Sequence, residues 1–326
     1  MEKTKGYTMK FSVTIPSYKS RYLKEAVESV MSQTYEDWEL IIVDDCSPED
    51  LRGLLEPYLA DSRVRYYRNA SNCGAVNVVD NWNICLERCT GDYVVCMGDD
   101  DRLKSCCLQE YRNLIERFPG LGVYHARAEI IDENGCPVHL QEERPEWESA
   151  LSLLWNRWDH REDQYIGDFC YDARMLKQEG GYYKLPLAWG SDDVTAVRAA
   201  EKKGVANMSV PAFEYRRNRY TITSSCNART KLEASLAACD WFESFIAHLD
   251  VSNVSAGDRR YLETINGVKN TYYYKSLGKN CADDLMGNPF RIPFWRKKLE
   301  RFHFSPVLFV KWYVKSIYNV VMGKVR

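Results

Sequence analysis

None of the twelve cysteines stands in a CxxC pair, and the five histidines show none of the short spacings that zinc ligands use. Neither a zinc site nor a disulfide framework is indicated, and a reducing cytoplasm is the expected setting. No stretch reaches eighteen uninterrupted apolar residues, and the opening MEKTKGYTMK lacks the apolar run of a signal peptide. The chain is therefore expected to be neither threaded through a membrane nor secreted. Internal repeats and low-complexity stretches are absent, and so is a glycine-rich phosphate loop carrying a lysine. The formal net charge of -2 argues against a general nucleic-acid binder, so no nucleic-acid partner is expected.

The sequence does hold enough apolar residues for a substantial core, 45% of 326, with 28% charged residues to keep it soluble. That length suits one large domain with an appendage, or two domains. The near-neutral total hides an asymmetry: residues 291–326 carry nine Lys/Arg against the single acid Glu300, a local charge of +8 that leaves -10 for residues 1–290.

Strand and helix signals alternate through the first 130 or so residues. Val13-Thr14-Ile15 is a short β-branched run closed by Pro16, and Leu23, Ala26, Val27, Val30 and Met31 follow with helical spacing. Glu39–Val43 reads as a buried strand ending in Asp44-Asp45; Ser47-Pro48-Glu49-Asp50 then offers an N-cap, a proline at the first helical position and early acids. Val64–Tyr67 is a third strand. An amphipathic helix from Ala75 to Cys89 precedes a fourth strand, Tyr93–Met97, and a helix over Lys104–Phe118 precedes Val123–Ile131. Glu133-Asn134-Gly135 is a hairpin turn that brings in an antiparallel element. The pattern predicts an α/β fold, a parallel sheet covered on both faces with ligands at the carboxyl ends of its strands. From about Cys226 the spacing becomes helical, with Leu232, Leu236, Cys239 and Trp241 on the first segment.

Chemistry is expected in the polar loops after those strands. Met97-Gly98-Asp99-Asp100-Asp101 sets three carboxylates together after a buried strand. Their mutual repulsion is answered either by a hard divalent cation whose shell a substrate diphosphate completes, or by solvation in an acidic turn. Asp45 either accepts hydrogen bonds from a nucleobase or caps the helix after Pro48.

Read together, Val13-Thr14-Ile15-Pro16-Ser17-Tyr18, Ser32-Gln33-Thr34-Tyr35, Trp38 through Ser47, and Gly91-Asp92-Tyr93 leading to the acidic triplet resemble the family-two glycosyltransferases of the GT-A fold. The resemblance covers about residues 10–225. It implies a Rossmann-like, mostly parallel nucleotide-diphospho-sugar transferase sheet flanked by helices, with a helical C-terminal region over 226–326. It further implies that Pro16, Tyr18 and Asp45 contact the base of a nucleotide-sugar donor, joined on the donor side by Asn72 and Asn83. Asp99 is placed near the ribose, and Asp100, with Asp101 as a further ligand, at a Mn2+ or Mg2+ ion. Three positions depart from the pattern: Gly98 where many members have an Asp, Lys19 where Asn is usual, and Trp82 where an Arg that holds the base is frequent. Trp189-Gly190-Ser191-Asp192-Asp193, followed by Arg198, resembles the segment that supplies the catalytic base. The resemblance makes Asp192 the base, with Asp193 in reserve; the same two acids equally suit the N-terminus of a helix.

The implied activity is a metal-dependent inverting glycosyltransferase, most simply UDP-sugar dependent. It would extend a carbohydrate or lipid-linked glycan acceptor in cell-surface polysaccharide synthesis. A nucleotidyltransferase and a catalytically degenerate transferase acting as a binding partner are the alternatives. Nine aromatic residues between Trp147 and Trp189 suit either a sugar-binding surface or core, and Tyr215-Arg216-Arg217-Asn218-Arg219 suits either diphosphate oxygens or a solvated loop. Within Ser305–Val321 a helix sets Lys311 and Lys315 on one side with apolar residues round the rest. That pattern fits docking at the inner face of the cell membrane, or packing on the catalytic domain.

Overall fold

The computed structural model describes residues 9–161, 163–218, 228–249, 254–300 and 306–322. They form two compact units, one of residues 1–184 with 191–219 and the other of 185–190 with 220–326. The boundary expected near Cys226 lies outside the described residues.

The first unit is a ten-stranded sheet with helices. Its strands are β1 (Phe11–Ser17), β2 (Trp38–Asp44), β3 (Val64–Arg68), β4 (Tyr93–Cys96), β5 (Arg102–Leu103), β6 (Val123–Ile131), β7 (Pro137–Leu140), β8 (Trp147–Glu148), β9 (Phe169–Asp172) and β10 (Val205–Arg216). The helices are α1 (Leu23–Met31), α2 (Leu51–Leu55), α3 (Val78–Glu87), α4 (Cys107–Arg117), α5 (Ala150–Trp158), α6 (Ala173–Gln178) and α7 (Ser191–Ala200). The main path runs β3-β2-β1-β4-β9-β6-β10-β5. β3, β2, β1 and β4 are mutually parallel, whereas β9 enters antiparallel between β4 and β6, and β10 lies parallel to β6. Every residue of β2 is buried, as a strand covered on both faces requires.

Local sequence accounts for much of the first half. Helix α1 buries Leu23, Ala26, Val27 and Val30, and α3 buries Val79, Trp82, Cys85 and Leu86, in keeping with their spacing. Asp132 Oδ1 accepts the N–H groups of Asn134 and Cys136, closing the expected β6–β7 hairpin. Two boundaries move. Ser47 accepts Glu49 N at 3.1 Å and donates to the Tyr18 carbonyl at 2.6 Å, but no helix begins at Pro48; Asp50 is the cap, accepting from Gly53 N, and α2 begins at Leu51. The helix expected from Lys104 begins at Cys107, because Arg102-Leu103 is drawn into an antiparallel pair with β10.

The second unit contains α8 (Ala228–Ala247), α9 (Arg259–Gly287), α10 (Ile292–Leu299) and α11 (Pro306–Val321). Leu232, Leu236, Cys239, Tyr273, Leu277 and Trp295 are among its buried core. Trp295 Nε1 donates to Asp284 at 2.6 Å, and Arg291 pairs with the same carboxylate. Ser305 and Arg301 lie outside the described residues.

Two buried charges hold the sheet unit together. Burial alone would raise the Glu39 carboxyl. Hydrogen bonds from Ser12 Oγ at 2.6 Å, Thr90 N and Oγ1 at 2.7 Å and Lys10 Nζ at 2.9 Å outweigh it and hold the group at about 2. The other is Arg216, 1% exposed at the end of β10. Its Nε donates to the Asp100 carbonyl at 2.7 Å and its Nη2 to Glu25 at 2.7 Å, with the Asp132 and Glu133 carbonyls at 3.4 and 3.3 Å from Nη1. The guanidinium lies 4.3 Å over the Tyr22 ring.

Two outcomes follow from these charges. A carboxyl held below its ordinary 4.5 contributes stability above that pH and loses it as pH falls toward 2, here about 3 kcal/mol. Glu39→Gln should therefore destabilise the protein at pH 7 by about that amount and flatten the acid limb of stability, read as urea midpoints between pH 7 and pH 3. Midpoints that fall with acid as steeply as in the wild type would count against it. Arg216→Met leaves three carbonyls and the Glu25 carboxylate without their cation, which typically costs about 3–5 kcal/mol. A loss below about 1 kcal/mol in urea unfolding would show that Arg216 is not the tie described.

Candidate active site

β1 lies between β2 and β4, all parallel, so the loops at their carboxyl ends come together. Hydrogen bonds fasten them. Asp99 Oδ2 accepts the N–H groups of Tyr18 at 2.8 Å and Lys19 at 2.9 Å, while the Tyr18 carbonyl accepts from Ser47. Tyr18 itself is 42% exposed. Asp44 is fully buried and accepts from Ser47 N, Tyr66 Oη and Arg68. It is therefore an anchor, and Asp45 is the acid at the crevice. Asp45 N donates to the Ser17 carbonyl, and its carboxylate accepts from Cys73 N and from Asn69 Nδ2 at 2.8 Å. Asn72 Nδ2 donates to the Asp45 carbonyl at 2.8 Å. Pro16 is half-buried at the end of β1, one residue before Ser17.

The three carboxylates after β4 have different surroundings. Burial and the Asp100 charge push Asp99 up to about 6, against the opposing N–H groups of Tyr18 and Lys19. Asp100 is half-buried, and its Oδ2 accepts from Asn218 Nδ2 at 2.7 Å. Asp101 is 4% exposed and accepts Arg216 N at 2.9 Å; burial and then the Asp100 charge push its carboxyl well above the usual range. Gly98 is empty where a Cβ would stand 2.7 Å from Asp100 Oδ1 and 3.0 Å from Asp101 Oδ2, so an aspartate there would press a fourth carboxylate onto the other two.

Among the described residues no three His, Cys, Asp or Glu side chains gather into a metal cage. One half-buried carboxylate with a substrate diphosphate is nonetheless the way Mg2+-like ions are commonly held. Asp100 fits that role. Asp101 does not, since it is buried against the Arg216 backbone with its proton favoured. Asn83 is also turned elsewhere: its Nδ2 donates to the Tyr182 carbonyl and its Oδ1 accepts Tyr182 N, so it ties α3 to that segment rather than reaching a donor. Trp82 packs edge-on to Tyr182 at 5.9 Å.

Asp192 and Asp193 occupy the first turn of α7. Asp193 is buried and accepts Arg157 Nε at 2.8 Å. Asp192 accepts the Asp193 N–H at 3.0 Å, and burial together with the Asp193 charge pushes it up to about 8. Tyr215 lies among these acids: burial, then the charges of Asp101, Asp100 and Asp192, raise its phenol well above the usual value. Its ring stacks on Tyr165 at 3.8 Å. Of the nine aromatic residues from Trp147 to Trp189, which suited sugar binding or core alike, Trp158, Phe169, Tyr171 and Tyr182 are core. Arg216 faces the acidic loop's backbone rather than any diphosphate, Arg217 is exposed, and Arg219 lies outside the described residues.

Two residues were missed from sequence, Asn69 and Asn218. Each follows the carboxyl end of a strand, β3 and β10 respectively, the position that had already singled out the acids.

Comparison with known proteins bears on the family and the fold. TuaG of Bacillus subtilis (strain 168), named as a teichuronic acid biosynthesis glycosyltransferase, is 29% identical over 224 residues, 66% of this chain and 81% of TuaG. Other curated relatives are matched over less than half of their length, 45% of Bacillus subtilis EpsE and 36% of Staphylococcus aureus TarS for example. The crystal structure of TarS 1-349 in complex with UDP-GlcNAc matches with a TM-score of 0.72 at 16% identity, over 97% of this chain and 92% of that one. The mannosyltransferase PcManGT from Pyrobaculum calidifontis, in complex with GDP-Man and Mn2+, matches with a TM-score of 0.52 at 13% identity, over 96% and 88%. At such identities these structures speak for a shared GT-A fold. The sequence model of glycosyl transferase family 2 matches residues 12–178, about half of the chain, and the protein belongs to that family of glycosyltransferases.

Proposed function

We propose that the protein is a metal-dependent inverting glycosyltransferase. It takes a sugar from a UDP-activated donor and adds it to a glycan or lipid-linked acceptor in cell-surface polysaccharide synthesis, on the cytoplasmic face of the membrane. The observation that supports this reading best is the fastening of the loops after β1, β2 and β4, with Asp99 on the Tyr18 and Lys19 amides and Ser47 on the Tyr18 carbonyl, which gathers Asp45, Asp99 and Asp100 at the carboxyl ends of the parallel strands. The TarS complex with UDP-GlcNAc supports a UDP-sugar donor, and TuaG and TarS, by their names, support a cell-surface polymer as acceptor.

Asp45, with Asn72 on its carbonyl, faces the base, and Asp99, fixed by the Tyr18 and Lys19 amides, faces the ribose. Asp100 is the residue that would hold Mn2+ or Mg2+, and such an ion, when bound, offsets charge on the departing diphosphate. Asp192 takes the proton from an acceptor hydroxyl as that oxygen bonds to the anomeric carbon and the bond to the diphosphate oxygen breaks, which inverts the configuration. Its pKa of about 8 keeps it close to working pH, where a general base is most effective.

The sign of the pH dependence follows. The ionised form of Asp192 is the active one, so kcat/KM should rise through pH 7 and level off above about 8. Asp192→Asn should lower kcat by about 10²–10⁴-fold and abolish that rise, while UDP-GlcNAc still raises the melting temperature. Product NMR showing retained anomeric configuration would exclude the single displacement. Asp100→Asn should remove the stimulation by Mn2+ and weaken Mn2+ binding measured calorimetrically with UDP present. Undiminished Mn2+ binding in that variant would take Asp100 out of the metal site.

A further inference from the structure

Helix α11 is apolar round most of its circumference, and the structure divides that surface in two. Phe309 and Trp312 enter the helical core. The Trp312 indole lies over Gly278 of α9, where an added Cβ would come within 2.5 Å of it, and 5.4 Å from the Tyr274 ring. The opposite side remains uncovered. Val307, Val310, Val314 and Val321, at 62%, 60%, 58% and 77% exposure, form a stripe with Ile317 and Tyr318. Part of it bounds an open depression of about 410 Å³ whose rim includes Lys311 and Lys315. Valine exposed at this density is unfavourable in water, at roughly 25 cal/mol per Å² of apolar surface.

We propose that this face docks the protein on an anionic lipid bilayer. Charge selects the occupant. The exposed Lys311 and Lys315 flank the stripe, the exposed Arg296 and Lys297 lie upstream, and residues 291–326 contain no acid but Glu300. A second copy meeting this face across a two-fold axis would bring like-charged lysines together, and Pro306–Val321 has no carboxylate to answer them. No described helix is long and apolar enough to cross a membrane, so α11 lies along the surface, valines in the acyl boundary and lysines at the headgroups. The inference rests on the membrane placement proposed above and names the surface responsible.

The experiment is co-sedimentation of the full chain with vesicles of equal parts phosphatidylglycerol and phosphatidylcholine, and with phosphatidylcholine alone, at low salt. The wild type should pellet with the anionic vesicles and release as salt is raised. Val310→Glu with Val314→Glu should weaken binding by roughly 100-fold or more. Lys311→Ala with Lys315→Ala should weaken it about 30-fold on anionic vesicles only. Both variants should keep wild-type melting temperatures and hydrolyse UDP-GlcNAc in solution at the wild-type rate. Equal vesicle binding by wild type and the valine variant overturns the proposal. So does a lowered melting temperature in that variant, which would place the stripe inside the fold, or a wild-type dimer that the variant breaks without any vesicle binding. Loss of sugar-nucleotide hydrolysis in every form, with vesicle binding intact, would instead count against the transfer reading.

Discussion

Three adjacent carboxylates at the end of a buried strand repel one another, and their burial adds to the cost. The fold answers each from a different direction. The β1 loop gives two backbone amides to Asp99, Asn218 gives a side-chain amide to Asp100, and Arg216 gives its backbone N–H to Asp101. The Arg216 guanidinium then binds the carbonyls of Asp100, Asp132 and Glu133 together with Glu25. The acidic loop is thereby held by β1, by the hairpin after β6 and by the end of β10. Without those ties the loop would open to water or its carboxylates would take up protons.

The same division of labour separates Asp192 from Asp193. Asp193 is engaged by Arg157, and its charge in turn, after burial, raises Asp192. Two neighbouring acids on one helical turn thus acquire different chemical characters, one paired with an arginine and the other with its proton favoured. Asp44 and Asp45 repeat the pattern at β2. The first is spent on Arg68 and Tyr66, and the second is left at the crevice with Asn69 as its support.

Spacing and turn chemistry made the first half of the sheet legible, because each parallel strand there is a short apolar run ended by polar residues and each helix has one apolar face. Asn72 came from the family resemblance, whereas position at strand ends singled out the acids Asp45, Asp99, Asp100 and Asp101. It was not enough to separate Asp100 from Asp101, since burial by a strand more than a hundred residues away is a tertiary fact. The surroundings of Asn83 were illegible for the same reason: its partner is the backbone of Tyr182. The strands β5, β8 and β9 are too short to leave a periodic signal, and β9 inserts antiparallel between strands from distant parts of the chain. The helical pattern of α11 was visible, but an almost wholly apolar circumference says nothing of which side is covered until Phe309 and Trp312 are seen to be.

Trp82 bears on how the donor side is built. Where relatives of this family often carry a base-holding arginine, the side chain here is 8% exposed and packed on Tyr182, so α3 directs an indole into the core at that position. Nearby arginines are committed elsewhere, Arg88 over the Tyr67 ring at 4.1 Å and Arg68 to Asp44 and the Ser47 carbonyl. What surrounds Asp45 instead is a set of amides, Asn69 on its carboxylate, Asn72 on its carbonyl and Asn81 bonded to Asn69. Neutral amides hold the carboxylate in place without neutralising it. With Asn69 Nδ2 and Cys73 N already on its oxygens, Asp45 stays an anionic acceptor with only its remaining lone pairs open to a further donor.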